Sequence, residues 1–359
     1  MTAAPTRPDR SHAPAVRAKA AQPTGAARPP RQITEAARRL LAPDPEWVPA
    51  TPSVAELSAG IAGGMFGVLA APVLAKPVFG ALSKMGPNPG SRPIVPTDQG
   101  DPGWFGPDSV AWRVHADPSL LVAGIAAFTL QTLHPLAMAG VAEHSAFSDD
   151  FLGRTKRTGE FVQGVVYGSS AQAERLCRMV RKIHERVVGE APDGRPYSAN
   201  DPDLLDWVHS TEYLAISAAN RRFAVNPMTR SELDRYIDEV ARVGIGTGVD
   251  APPRSWTELL ASIERHRPNL AVAEYAAAGV AFLDDPPILP AAAKPVWRSL
   301  WAGAVVCLPP VARRLLRLPE PSTAELAGCR AILRTLDNLG GGADGPDLTA
   351  AKLRLGLTT

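Results

Sequence analysis

Cysteine is nearly absent: Cys177, Cys307 and Cys329 are the only three in a chain of 359 residues. They lie far apart and form no CxxC pair. That argues against a disulfide framework, a cysteine-built zinc site and a covalent CxxCH haem attachment, and it fits a reducing, cytoplasmic setting. Net charge is nearly absent too, at +2, so no whole-protein field favours nucleic acid or an acidic membrane. Base-stacking aromatics are sparse, with 5 Tyr and 9 Phe, and no basic–aromatic interleaving occurs, so nucleic acid is set aside as a partner. The HExxH, P-loop and GxSxG patterns are missing. "GIGTGVD" (Gly244 to Asp250) mimics a phosphate loop but follows a helical stretch and precedes Pro-Pro, and is rejected. A di-iron carboxylate bundle needs two carboxylate-x-x-His pairs; outside the N-terminal tail the chain has one, Asp206 with His209.

What the chain does have is apolar residues, 45% of the total, enough for a sizeable core. Residues 1–33 are rich in Ala, Pro and Arg, and no apolar run follows the basic positions as it would in a signal peptide. They read as a disordered, mildly basic tail, with a composition like that of a high-GC bacterial genome. Leu57 to Ala75 carries no charge and approaches the ~20 residues of a membrane span. It is Gly/Ala-rich and broken by Pro72, so a tightly packed core helix, able to line a substrate tunnel, is the preferred reading over a membrane anchor.

Apolar spacings of three and four dominate and strand alternation is scarce, which predicts a single all-α domain over 34–339 and a short C-terminal tail over 340–359. A long helix is expected from Pro118 to Val141, opened by Asp117-Pro118. Another runs from Ser169 or Ser170 to Gly189, with the glycine as its left-handed stop. Further helices start at Asp201-Pro202, at Thr229 with Glu232 in capping-box spacing, and at Ser255 with Glu258 in the same relation.

Polar residues recur among apolar ones between Leu130 and Gly168: Gln131, His134, Glu143, His144, Arg154 and Thr158. Buried, each costs a few kcal/mol (about 1–3 from protein data) unless something pairs with it. His184 sits at the edge of a stripe formed by Leu176, Val180, Ile183 and Val187, and reads either as a core histidine or as a ligand. Arg154 and Thr158 share a helix face and could hold an anion or an iron-bound oxygen. His134-Pro135 interrupts an apolar helix where the backbone can line a cavity. His209 reads as buried; His115 and His266 read as surface groups. Several histidines, one arginine and apolar walls suit haem b, which asks for an apolar slot and one imidazole.

The ordered pieces "LQTLHP…EHSAF…DDFLGRTKRT…VYG", "RKIHERVVG", "YSANDPDLLDWVH", "MTRSELDRYIDEV" and "LPPVARRLLRLPEP" resemble the MpaB / rubber oxygenase (latex clearing protein) family over roughly Pro118 to Pro321. The resemblance implies an all-α fold around a haem b that activates dioxygen. It makes His184 the proximal ligand and the metal's protein donor, and Arg154 and Thr158 distal groups. His134, His209 and Gln131 become groups that brace the cofactor or its helices. The distal glutamate of rubber-cleaving members has no counterpart, since counting back from the arginine reaches Met138; Glu143 is the nearest carboxylate.

The resulting expectation is a haem-dependent oxygenase (an oxidoreductase) of bacterial secondary metabolism. It would act with O2, and with an electron donor where the chemistry needs one, on a small apolar, isoprenoid-like substrate. The alternatives are a haem-dependent dehydrogenase or peroxidase-like tailoring enzyme, a colourless helical protein that binds a lipid or isoprenoid, and a non-haem iron site made by His134, His144 and His209.

Overall fold

The computed structural model describes residues 98–144, 151–339 and 345–357. The expected N-terminal tail and the Leu57 to Ala75 helix lie outside these residues. Thirteen α-helices account for most of the described chain, with one short hairpin, so the all-α expectation holds.

The helices are α1 (Val110–Ala116), α2 (Leu120–Gln131), α3 (Pro135–His144), α4 (Phe151–Tyr167) and α5 (Ser170–His184). Then come the antiparallel strands β1 (Val188–Glu190) and β2 (Pro196–Ser198). The remainder is α6 (Pro202–Phe223), α7 (Arg230–Thr247), α8 (Trp256–His266), α9 (Glu274–Asp284), α10 (Lys294–Cys307), α11 (Pro310–Leu316), α12 (Thr323–Leu339) and α13 (Pro346–Arg354).

Local chemistry sets the boundaries. Ser169 accepts from the Gln172 N–H at the start of α5, and Asp201 from the Asp203 N–H at the start of α6, where Pro202 takes the first turn. Thr229 and Glu232 form a full capping box on α7. Ser255 caps α8 through the Glu258 N–H, but the Glu258 carboxylate turns to the Arg254 N–H instead, at 2.8 Å. The "GIGTGVD" stretch is the end of α7, with Gly248 as a left-handed cap at φ 106°.

Three expectations are corrected. The single helix from Pro118 to Val141 is two, α2 and α3, bent by 109°. Pro135 has no N–H to continue α2, so it opens a new helix, and the carbonyl of Leu133 in the break accepts the Ala271 N–H at 2.9 Å. Gly189 does not stop α5, which ends at His184. It lies in β1, where the Tyr197 ring comes so close that any side chain would collide with it. The third concerns residues 346–354, which were expected within a tail. They form α13, whose Arg354 donates to the carbonyls of Asp101 (2.7 Å) and Tyr167 (2.9 Å).

α6 is the centre of the fold, buried almost throughout from Leu204 to Phe223 and packed on α2, α7, α8 and α10. Ala215, Ala218 and Ala219 are fully buried on it, and such small side chains let neighbouring helices approach closely. Among the described residues no single helix is long and apolar enough to cross a membrane; α2 and α3 pass that test only as their bent pair.

Candidate functional site

α5 and α6 both pack on α7; α5 also packs on α4, and α6 on α2. Yet α5 and α6 barely meet each other. Each helix nevertheless keeps a few partly accessible positions on a face that is otherwise buried. On α5 the inward stripe is Ala173, Cys177, Val180 and His184, the last two only half-buried. Ile183, expected in that stripe, is 54% exposed; the stripe is rotated so that His184 belongs to it rather than to its edge. On α6, Val208 and Glu212 are one turn apart. They are the two residues between Leu204 and Asn220 that are not buried. α2, otherwise packed, is open along Leu121, Gly124, Phe128 and Gln131, a helical spacing that makes one stripe.

His184 carries an Nδ1 that is buried without a hydrogen-bond partner, and burial lowers its pKa. The ring is therefore neutral at physiological pH, the form that binds a metal. Arg154, on α4, is half-buried with its guanidinium 5.6 Å from the centroid of the Phe128 ring. Burial first, and then the neighbouring charge of Arg157, lower its pKa to about 10, which leaves it cationic near neutrality. Thr158 is exposed.

The other expected residues fall into separate settings. His134 is 2% exposed, with an unpartnered Nδ1. Its ring centroid lies 6.1 Å from that of Trp207 and 6.2 Å from that of His266. Burial, followed by the charges of His266 and Arg195, takes its pKa to about 4. Gln131 is half-buried, and its carbonyl accepts the Trp207 indole N–H at 3.5 Å. His209 is buried edge-on against Tyr213, with centroids 4.8 Å apart. It is covered by Gly244, where a Cβ would come within 2.9 Å of the ring. Burial lowers the His209 pKa to about 4. Glu143 is exposed, and both its oxygens accept phenol hydroxyls, from Tyr197 at 2.7 Å and Tyr275 at 3.4 Å. His144 joins the same contact, 3.1 Å from the Tyr197 hydroxyl. Glu143 and His144 thus tie the β hairpin to α3.

Two histidines read as surface groups are buried. His115 is 2% exposed, with Nε2 3.0 Å from the Tyr236 hydroxyl. His266 is 4% exposed and donates from Nε2 to Asp206 at 2.7 Å. Ser262 donates to the same Asp206 oxygen at 2.6 Å and Arg265 at 3.2 Å. Sequence reasoning also passed over Glu212. It makes no hydrogen bond, and burial alone raises its pKa to about 7. Its signal was legible in "HSTEYLAIS": a lone carboxylate among residues that are otherwise apolar or small.

Among the described residues no group of three or more His, Cys, Asp or Glu side chains gathers as a metal cage, so His134, His144 and His209 do not make one. A haem asks for less, because the porphyrin brings four nitrogens and the chain need supply one. A neutral imidazole with an unpartnered, buried Nδ1 on the inward face of α5 fits that requirement.

A family model described as ER-bound oxygenase mpaB/B'/Rubber oxygenase, catalytic domain, matches residues 112–338. No curated protein and no solved structure matches the chain.

Proposed function

The chain belongs to the family of ER-bound oxygenases mpaB/B' and rubber oxygenases, of which it carries the catalytic domain, and from that premise we propose a haem b-dependent oxygenase of the cytoplasm with His184 as the iron's protein ligand. The observation that carries the assignment is His184 itself: inward on α5, neutral, and with a buried Nδ1 that no protein group satisfies. Bound there, haem would supply a redox-active iron at which dioxygen reacts.

The chain's own groups then have definite tasks. Arg154 keeps a positive charge in a half-buried position. In a low-dielectric slot, such a donor stabilises negative charge developing on oxygen without reorganising. Thr158, one turn further along α4, offers a hydroxyl at the exposed side of the same helix. His134 and His209, held neutral by burial, brace the helices around the slot without placing charge in it. Glu143 has no part in this scheme, because its oxygens already hold Tyr197 of the hairpin and Tyr275 of α9. The open stripes of α2 and α6 are mainly apolar, which suits a small apolar substrate. Any electron donor would reach the site from outside.

The test is the ultraviolet–visible spectrum of the purified protein before and after dithionite, with a pyridine haemochrome assay. The expected result is a Soret band and near-stoichiometric haem b, both lost in His184→Ala with the helical circular dichroism retained. Full loading and an unchanged spectrum in that variant would remove His184 from the iron. Product analysis under 18O2 then separates an oxygenase, which places label in product, from a haem dehydrogenase or peroxidase, which does not.

A further inference from the structure

The outer face of α5 is exposed and basic. Arg175, Arg178, Arg181, Lys182 and Arg186 all stay exposed on this helix and the turn that follows it. With Glu174 and Glu185 as its two acids, the stretch from 174 to 186 holds more net positive charge than the +2 of the whole chain. Glu174 reaches Arg178 at 3.5 Å, while Arg175, Arg181, Lys182 and Arg186 make no side-chain ion pair among the described residues. Met179 and Ile183, 49% and 54% exposed, stand among these cations four residues apart, the spacing that places side chains on one face. Single exposed apolar residues are ordinary, but no other helix among the described residues keeps two large ones in the open. Toward α6 and α7 the basic face borders an open groove of about 530 Å³, where Arg178, Arg181, Lys182 and Glu185 meet Leu205 and Thr247. Lys182 precedes His184 by two residues, so it points about 160° away from that inward ring, across a helix about 10–12 Å thick.

We propose that this face docks an acidic one-electron carrier protein, which delivers electrons to the haem on the far side of α5. The inference rests on the reading of His184 as the iron's ligand. One electron leaves the reduced carrier and converts ferric haem to ferrous; the carrier departs oxidised by one electron, and no bond forms or breaks. Charge complementarity selects this occupant. A second copy joined through the same face would set like charges opposite each other. The chain's own residues 1–34, with six cations to one acid, are repelled in the same way. A membrane surface asks for a broad apolar face to insert, whereas Met179 and Ile183 are the only large apolar side chains that α5 exposes. A small apolar centre within a charged rim suits the low-area, charge-steered encounters of electron transfer. The cations steer the carrier, the two apolar side chains add contact, and the docked carrier lies one helix thickness from His184.

The experiment is isothermal titration calorimetry of the full-length protein with a plant-type [2Fe–2S] ferredoxin, an acidic one-electron carrier, at low and high salt. The wild type is expected to bind at low salt and to weaken at least ~10-fold when salt screens the charges. Arg175→Glu, Lys182→Glu and Arg186→Glu combined should lose at least ~10-fold in affinity at low salt, with the helical circular dichroism unchanged. A control with the same change of charge on other exposed positions, Arg230→Glu, Arg298→Glu and Arg334→Glu combined, should bind like the wild type. In stopped-flow, reduced ferredoxin should reduce the haem of the α5 variant more slowly by a similar factor, while dithionite, which needs no docking, reduces both proteins alike. No binding at low salt overturns the proposal, as does an affinity that the α5 reversals leave intact or that the control loses equally. Binding to phosphatidylglycerol vesicles without binding to ferredoxin would assign the face to a membrane and overturn it too. Absence of haem from the wild type would instead refute the reading of His184, and the calorimetry, which needs neither colour nor turnover, would still decide whether this face docks an acidic carrier.

Discussion

Of the three carboxyl groups on α6, Asp203 is exposed in the first turn, and the fold treats the other two, Asp206 and Glu212, in opposite ways. Asp206 receives Ser262, His266 and Arg265 on a single oxygen. Burial alone would raise its pKa, but the hydrogen bonds from His266 and Ser262 and the charges of His266 and Arg265 bring it below the usual carboxylate value. Glu212 receives nothing, and burial drives its pKa up to about 7. A carboxylate kept for stability comes with donors from elsewhere in the chain. One left bare on a buried helix is held at a cost to stability, and groups of that kind concentrate where a ligand or a reaction uses them. His266 and His184 repeat the contrast: one imidazole is satisfied by Asp206, the other keeps an unpartnered nitrogen on the inward face of α5.

The largest effect that tests this difference is at Asp206. Asp206→Ala leaves His266 without its acceptor and Ser262 with the Ser210 hydroxyl alone, and should destabilise the protein by about 3–5 kcal/mol in urea denaturation at neutral pH. The sign with pH is fixed. Because the folded pKa lies below the unfolded one, the contribution is complete above the ordinary carboxylate range and is lost as pH falls through the folded value. The gap between wild type and variant should therefore close in acid.

Glu212 should behave inversely. Its folded pKa of about 7 exceeds the ordinary 4.5, so between those values the native state holds a proton that the unfolded chain has released. Stability therefore falls as pH rises through the window. Glu212→Gln removes the penalty and should stabilise the protein at pH 8 by an amount on the order of 3 kcal/mol, with no gain near pH 4. A stabilising effect of equal size at both pH values would show that packing, not ionisation, separates the two side chains.

Arg154 extends the contrast from stability to chemistry. Arg154→Gln should keep the haem spectrum while turnover drops by ~10²-fold, the usual cost of one missing donor to a developing oxyanion. Unaltered turnover would take Arg154 out of the site.

The sequence made the scaffold legible where the signal is local. The caps at Ser169, Thr229 and Ser255 and the Asp201-Pro202 start are short-range chemistry, read from a few residues. The order and spacing of the polar pieces carried the family resemblance, which the match over 112–338 bears out. What escaped depends on distant partners. His115 reads as polar surface until Tyr236, 121 residues away, folds beside it, and His266 does so until Asp206, 60 residues away, supplies its acceptor. The inward stripe of α5 was misplaced by one residue, because Ile183 is apolar enough to suggest burial yet is exposed. Glu212 left a local trace, a lone carboxylate in "HSTEYLAIS", but that it lacks a partner is visible only in the fold.

The smallest effect separates the hairpin anchor from the slot. Tyr197 donates to Glu143 at 2.7 Å, with His144 3.1 Å from the same hydroxyl, at the rim of the fold where water can replace a lost partner. Tyr197→Phe and Glu143→Gln should each cost about 1 kcal/mol or less, with haem content and turnover kept. The two effects should also be non-additive, since one variant removes and the other weakens the same hydrogen bond. If Glu143→Gln lost turnover while its stability held, the carboxylate would be acting on the reaction rather than on the hairpin, and the division between partnered and bare carboxylates would no longer sort structural groups from functional ones.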